Sequence, residues 1–297
     1  MKLTPPPLAT VLTLAGSDSS AGAGLQADLK TIHALGAYAL TVPTAITAQN
    51  SLGVSAVFPL EAEVIKAQLD VLLSDYQIQA VKIGMLGNLA ILKMVIDCLK
   101  AANIQNIVLD TVLISSSGKA LLEPDALPTF ITELLPLASV ITPNLPELNV
   151  LLKRTRDNAF LGCFTEMEEI GQLLFDLNIK AAVIKGGHSA DAKATDYLIM
   201  PAGEQGHEIS VQTYSSLRLK VSNNHGTGCT YSSAIATSLA KGLALNEAVR
   251  EAKSYLFNSL STADRAQPSQ LEKPTGELRE RKGGLNHLGC LLNKTNQ

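Results

Sequence analysis

The chain has 297 residues, of which 46% are hydrophobic, and a formal net charge of -3. This charge balance provides no broad basic surface, so the composition argues against nucleic acid as a partner. No apolar run is long enough to span a bilayer, so we expect no membrane partner either.

Short apolar runs alternate with amphipathic patterns along most of the chain. The runs predicted as strands are 10–15, 38–45, 54–58, 80–83, 107–110, 140–142, 181–185, 197–200 and 209–213. The patterns predicted as helices are 25–35, 61–73, 89–101, 124–135, 166–177, 227–241 and 246–263. This order is typical of an α/β protein whose mainly parallel sheet carries helices on both faces. Without a repeat or a long linker, we predict a single domain over 1–297, with 267–297 as a charged C-terminal segment.

The cysteines and the N-terminus indicate the cellular compartment. Cys98, Cys163, Cys229 and Cys290 lie far apart and form no C-x-x-C motif. This pattern fits a reducing cytoplasm better than a disulfide framework or a zinc site. The apolar run 8–15 follows three prolines and is soon followed by Asp18, so we predict a buried strand there rather than a signal peptide.

The stretch 222–242 combines a glycine-rich turn with a helix of small residues. Gly226, Thr227 and Gly228 open this predicted helix, and glycines there let the backbone approach a ligand closely. The free N–H groups of the first turn and the helix dipole favour an anion. Cys229 occupies the same helix start, where thiolate is favoured over thiol. The alternative interpretations are a plain helix cap and an ordinary buried helix.

A second glycine-rich stretch, 16–24, follows the first predicted strand and leads into the first helix. That position is the carboxyl edge of the sheet, where α/β proteins bind ligands. Residues 22–27 also fit the dinucleotide pattern G-x-G-x-x-A, but the strand ends too early for its tight turn. Asp28, on the following helix, is interpreted either as a solvated acid or as a ligand contact.

Other polar residues follow predicted strands at the same edge. Gln49 can donate and accept hydrogen bonds at once, which suits a heteroaromatic ring; the alternative interpretation is a turn amide. Met85 fits either the core or the wall of an apolar pocket. Asn144 and Glu147 have oxygen atoms suited to hydrated Mg²⁺, although N-x-x-E also caps helices. Lys185 is either a phosphate contact or a surface lysine.

Six motifs in one order carry a family resemblance. They are GSDSSAGAGLQADLKT, TAITAQNSLGV, KIGMLG, ITPNLPE, VIKGGH and NNHGTGCTYS, and the match extends from about residue 10 to residue 264. Together they resemble the hydroxymethylpyrimidine/phosphomethylpyrimidine kinases of thiamine biosynthesis, in the ribokinase-like superfamily. The resemblance implies a three-layer α/β/α fold, ATP and Mg²⁺ as cofactors, and a homodimer. It also implies two successive phosphorylations, of 4-amino-5-hydroxymethyl-2-methylpyrimidine and then of its monophosphate.

The resemblance assigns roles by position. The residues that resemble the pyrimidine site are Gly16, Asp28, Gln49 and Met85. Those that resemble the ATP, phosphate and Mg²⁺ contacts are Lys185, Asn144 and Glu147, with Asn144 acting on the metal through water. The residues that resemble the anion hole are Gly226, Thr227 and Gly228, and Cys229 takes the place of the base.

Two departures from the family and two alternatives accompany this assignment. Ala21 stands where relatives commonly carry glycine, and Ser115-Ser116-Ser117-Gly118 stands where some carry lysine in an A-K-S-G loop, so we assign no basic ATP contact to that loop. One alternative is a pyridoxal kinase, or an enzyme with both activities, on the same scaffold. The other is a non-catalytic pyrimidine-binding regulator that has kept the pocket.

Overall fold

A nine-stranded sheet forms the centre of the molecule. The computed structural model describes residues 7–114, 120–186, 192–203, 208–266, 270–272, 278–280 and 282–289. Within these ranges the strands of the sheet are β1 Thr10–Asp18, β2 Tyr38–Asn50, β3 Gly53–Pro59, β4 Ala80–Ile83, β5 Ile107–Leu109, β6 Val140–Ile141, β7 Ala182–Ile184, β8 Lys193–Ala202 and β9 Glu208–Leu217. A separate antiparallel pair is formed by β10 Gln270–Glu272 and β11 Leu278–Glu280.

Helices connect and cover these strands. They are α1 Gly24–Ala34, α2 Ala62–Asp75, α3 Leu89–Ala102, α4 Leu127–Thr129, α5 Leu145–Leu151, α6 Met167–Asp176, α7 Thr227–Ala240, α8 Leu245–Ser261 and α9 Ala263–Ala266. Within the described ranges, no helix is both long and apolar enough to cross a membrane.

The strand order is β3-β2-β1-β4-β5-β6-β7-β8-β9. The six strands from β2 to β7 are parallel to one another, and antiparallel strands complete both edges. Because parallel strands all end at the same edge, the loops that follow β1, β4, β5, β6 and β7 meet there.

The two faces of the sheet bury separate apolar cores. Along β1, Leu12 and Leu14 belong to the core that includes α2, α3 and α6, whereas Val11 belongs to the core of α1, α7 and α8. Successive side chains of a strand point to opposite faces, which accounts for this division. The predicted three-layer α/β/α arrangement is confirmed.

Several predicted elements differ from the structure, since β1, β8 and β9 are longer than the strands predicted over 10–15, 197–200 and 209–213. The strand predicted to end at residue 45 continues to Asn50 as β2, because β3 pairs with it as far as Gly53. The helix predicted over 124–135 is divided into α4, the 3₁₀ turns Pro124–Ala126 and Leu135–Leu137, and a π-helical turn Phe130–Leu134. Proline has no N–H to donate and disrupts regular helix bonding, and prolines occur at 124, 128 and 136.

Candidate active site

A cavity of about 440 Å³ opens at the carboxyl edge of the sheet. The ends of six strands and the start of α7 contribute to its wall. In the order of the strands from β2 to β7, the lining residues include Gln49, Gly16, Met85, Asp110, Asn144 and Lys185. The structure therefore brings together residues that lie up to 169 positions apart, from Gly16 to Lys185.

The turn before α7 leaves backbone donors at the cavity. Gly226 adopts the left-handed conformation with φ +83°, and a Cβ there would lie 1.9 Å from the carbonyl oxygen of Gly22. No described side chain caps the helix, and the Thr230 N–H is the donor that binds the Gly226 carbonyl. The backbone N–H groups of Thr227, Gly228 and Cys229 precede that first helical bond, and all three residues line the cavity. An uncapped helix start of this kind favours an anion.

Cys229 lines the cavity, but its thiol does not have the ionisation that we expected. Burial raises the pKa of the Cys229 thiol to about 11, although the neighbouring Lys82 ammonium and the Gly24 backbone N–H act in the opposite direction. The expectation that thiolate is favoured at this helix start is therefore wrong. Desolvation disfavours the charged thiolate more than the helix start and these neighbours favour it.

Lys185 is not a surface lysine. Its ammonium donates to Asp110 Oδ1 at 2.9 Å and lies 3.9 Å from Glu147 Oε2, and its side chain is only 16% exposed. Burial opposes both charges of the Lys185–Asp110 pair, but their attraction raises the pKa of Lys185 and lowers that of Asp110. Thr142 Oγ1 also donates to Asp110. Lys185 is therefore a positioned cation at the cavity.

Asn144 and Glu147 both cap α5 and line the cavity. The Glu147 N–H donates to Asn144 Oδ1, and the Asn144 N–H donates to Glu147 Oε2, each at 2.9 Å. Burial raises the pKa of Glu147 despite the nearby Lys185. Within the described ranges, no group of three His, Cys, Asp or Glu side chains could hold a metal by itself. The oxygens present fit hydrated Mg²⁺, which is usually held by one or two carboxylates together with phosphates.

At the other side of the cavity, Gln49 belongs to a hydrogen-bonded group. Its Nε2 atom lies 2.8 Å from His225 Nε2, and its Oε1 accepts from Thr47 Oγ1 at 3.2 Å. His225 Nε2 also lies 3.0 Å from Asp18 Oδ2. Burial opposes the Asp18 charge, but bonds from His225 and Ser20 outweigh it and lower the pKa of Asp18 to about 2. The bond from Thr47 and the adjacent His225 ring position the Gln49 amide at the cavity.

Gly16 and Met85 lie against each other. A Cβ at Gly16 would be 3.2 Å from Met85 Sδ, so a larger residue there would push the thioether aside. Both residues line the cavity, as does Gly84, whose added Cβ would lie 3.0 Å from Lys82 Nζ. The lack of side chains at these two glycines leaves space for the thioether and for the ammonium.

Asp28 does not line the cavity. Its side chain is fully buried, and Lys82 Nζ donates to its two oxygens at 2.9 and 2.8 Å. Thr13 Oγ1 and Ser233 Oγ donate to it as well, at 2.7 and 2.8 Å. Neither interpretation from the sequence describes this position, because a solvated acid would be exposed and a ligand contact would face the cavity.

The C-terminal segment 282–289 packs against the α7 turn. The His225 N–H donates to the Gly283 carbonyl, and the Gly283 N–H donates to Asn223 Oδ1. His287 is buried, with Nε2 3.1 Å from Thr230 Oγ1, and burial lowers its pKa to about 4. Residues 282–289 of the charged C-terminal segment therefore pack into the fold. The departure at Ser115-Ser116-Ser117-Gly118 lies outside the described residues.

Sequence reasoning assigned no role to three residues that the structure places at this site. Lys82, Asp110 and His225 line the cavity and bind Asp28, Lys185 and Asp18, respectively. Lys82 and Asp110 sit inside or just after apolar strands, where a charged residue is rarely fully buried unless it is paired. That conflict between charge and predicted burial is the signal that could have identified them.

Comparisons with known proteins agree on one family. The family profile described as Phosphomethylpyrimidine kinase matches residues 18–275. An Escherichia coli protein named hydroxymethylpyrimidine/phosphomethylpyrimidine kinase is 44% identical over 253 residues, covering 85% of this chain and 91% of the relative.

Solved structures extend the comparison to the fold. The Clostridium difficile phosphomethylpyrimidine kinase is 39% identical with a TM-score of 0.69, covering 84% of this chain and 97% of that one. The Staphylococcus aureus pyridoxal kinase in complex with ADP is 32% identical with a TM-score of 0.79, covering 96% and 95%. The expected ribokinase-like fold is confirmed, and the chain belongs to the phosphomethylpyrimidine kinase family.

Proposed function

We propose that this protein uses ATP to phosphorylate 4-amino-5-hydroxymethyl-2-methylpyrimidine and then its monophosphate, in thiamine biosynthesis. The observation that carries the proposal is the uncapped α7 turn, which opens into a cavity shared by Gln49 and Lys185. Family membership supports the same conclusion.

The α7 turn is suited to phosphoryl transfer. Such reactions depend on positioning and on stabilising the charge of the phosphoryl oxygens rather than on covalent chemistry with the protein. We assign the backbone N–H groups of Thr227, Gly228 and Cys229 to those oxygens, with Gly226 allowing the close approach. Donors fixed in a helix start need no reorganisation during the reaction.

The acceptor ring is assigned to the side of the cavity formed by β1, β2 and β4. A 4-aminopyrimidine offers a ring nitrogen acceptor beside an amino donor, and the single amide of Gln49 can satisfy both. Gly16 leaves space beside the ring, and Met85 contributes an adaptable apolar wall. Asp28 does not contact the ring directly and is assigned an indirect role through its bond to Lys82.

The triphosphate of ATP is assigned to the side formed by β6 and β7. Lys185 supplies the cation there, and its charge is held in place by Asp110. Glu147 and, through water, Asn144 would hold Mg²⁺, which when bound would orient the phosphates and offset their charge.

Cys229 is assigned as the base. Its thiolate takes the proton of the acceptor hydroxyl while the hydroxyl oxygen bonds to the γ-phosphorus and ADP leaves. Because the pKa of the thiol is raised to about 11, only a small fraction is thiolate at neutral pH. We therefore expect turnover to rise with pH.

The remaining expectations concern the whole chain. We propose a single domain, since the sheet carries both apolar cores. We also propose a homodimer, for which the exposed cross-strand pair Ile46 and Phe58 on β2 and β3 offers an apolar contact surface. The three free cysteines among the described residues fit a cytoplasmic location.

A coupled assay of ADP release tests the proposal against its alternatives. The acceptors are the hydroxymethylpyrimidine, its monophosphate and pyridoxal, each with ATP and Mg²⁺. We expect turnover with both pyrimidines and a higher kcat/KM for them than for pyridoxal. A preference for pyridoxal would favour the pyridoxal kinase alternative, and binding without turnover would favour the non-catalytic regulator.

A further inference from the structure

Two helices lie side by side with matched contacts one turn apart. The backbone N–H of Gly24, the first residue of α1, lies close enough to Cys229 at the start of α7 to favour its thiolate and lower its pKa. One turn further on each helix, Ser233 Oγ donates to Asp28 Oδ1 at 2.8 Å. Residues four apart share one helix face, so Asp28 and Cys229 belong to a single interface between α1 and α7.

Lys82 enters this interface from β4. Its side chain is completely buried and its ammonium binds Asp28, and Lys82 is one of the residues that line the cavity together with Cys229. An ammonium has three hydrogen-bond donors, and Asp28 accepts from it through two oxygens. Lys82 is thus held by the carboxylate of Asp28, and its positive charge is available to stabilise a negative charge in the cavity.

The charged groups around Cys229 differ in how completely their hydrogen-bond and ion-pair partners neutralise them. Asp28 accepts from Lys82, Thr13 and Ser233, and Asp110 is paired with Lys185. Lys82 has the largest favourable effect on a Cys229 thiolate, whereas Asp28 and Asp110 oppose the thiolate. Burial opposes the Lys82 charge, but attraction to Asp28 outweighs this effect and raises the pKa of Lys82, so the ammonium stays protonated at neutral pH.

We propose that Lys82, anchored by Asp28, is the cation that stabilises the thiolate of Cys229 during proton transfer. This inference rests on the proposed function for its catalytic part, in which Cys229 forms an S–H bond as the acceptor O–H bond breaks. Lys82 keeps all of its protons and contributes only its charge. In a buried site, such a charge acts through a lower dielectric than in water.

Alkylation of Cys229 measures its thiolate without reference to the kinase reaction. The folded protein is treated with iodoacetamide between pH 7 and 10, and the peptide containing Cys229 is quantified by mass spectrometry. We expect Lys82→Met to slow alkylation at pH 8 about tenfold or more, and Asp28→Asn to accelerate it, because thiolate is the reactive form. Opposite effects of these two substitutions on the alkylation rate would show that the charge of the neighbouring residues, rather than their packing, controls the reactivity of Cys229.

A double variant keeps the test valid if a single change prevents folding. Lys82→Met with Asp28→Asn replaces the buried pair by neutral side chains, and we expect it to slow alkylation about threefold or more. The matched control is Lys253→Met with Asp196→Asn, a buried pair at 2.7 Å between α8 and β8, which should leave the Cys229 rate unchanged. An unchanged Cys229 rate in the folded Lys82 double variant would overturn the inference.

Turnover separates this inference from the proposed function. We expect the double variant to lower kcat in parallel with alkylation, with little change in the KM of the acceptor. Slower alkylation with unchanged kcat would overturn the catalytic part of the inference. An inactive wild-type protein that still shows the alkylation effects would instead contradict the proposed function and leave the coupling between Lys82 and Cys229 intact.

Discussion

Two glycines flank α7 in nearly the same backbone conformation, which allows a controlled test of the anion-binding turn. Gly226 has φ +83° and Gly242 has φ +85°. Alanine at either position costs about 1 kcal/mol for the left-handed conformation. At Gly242 a Cβ meets nothing within 4 Å, whereas at Gly226 it would lie 1.9 Å from the Gly22 carbonyl oxygen. Since real Cβ contacts are not shorter than 3.0 Å, the turn must move by 3.0 − 1.9 = 1.1 Å.

This displacement carries the backbone donors away from the phosphoryl oxygens. A misplacement of about 1 Å lowers an enzymatic rate by about 100-fold, so we expect Gly226→Ala to lower kcat by that factor. Gly242→Ala should lower the melting temperature by a few degrees and leave kcat unchanged. The assay is ADP release with saturating ATP and pyrimidine, together with a thermal melt of each variant. A kcat for Gly226→Ala within threefold of the Gly242→Ala value would refute the reasoning.

Three further predictions concern the first loop, the C-terminal segment and the ring contact. Ala21 has φ +59°, so Ala21→Gly should raise the free energy of unfolding by about 0.5 kcal/mol, and a loss measured by urea unfolding would contradict this. The buried His287, whose pKa is lowered to about 4, must gain a proton on unfolding below pH 6.5. Stability should therefore fall by about 2 kcal/mol between pH 7 and pH 5, and His287→Gln should show a smaller fall in urea unfolding; equal falls would disprove the assignment. Gln49→Leu should weaken pyrimidine binding by about 1–3 kcal/mol in calorimetry, and unchanged binding would leave Gln49 without a role in the ring site.

Local patterns in the sequence predicted the elements of the fold and the α7 turn. Glycines on either side of Thr227 mark the helix start, and the residues that follow strands mark one edge of the sheet. These signals depend on residues close together in the chain. The resemblance of the ordered motifs then identified the family, and the cavity brings most of their polar residues together.

Long-range pairs could not be predicted in the same way. Lys82 and Asp28 are 54 residues apart, and Lys185 and Asp110 are 75 apart. No periodicity links such positions, because their pairing depends on strand order. The pKa of Cys229 was mispredicted for a related reason: the helix start is a local feature, whereas desolvation comes from the elements packed around the thiol.

The central claim is that phosphoryl transfer occurs at the α7 turn with Cys229 as the base. The most direct measurement is single-turnover transfer from ATP to the hydroxymethylpyrimidine by the wild-type protein and by Cys229→Ala, from pH 6 to pH 10. We predict a wild-type rate that rises with pH, because the pKa of Cys229 is raised to about 11, and a variant at least about 100-fold slower with no such rise. Pyrimidine binding should change little in the variant. A rate close to that of the wild type in Cys229→Ala, with the same pH dependence, would contradict the account.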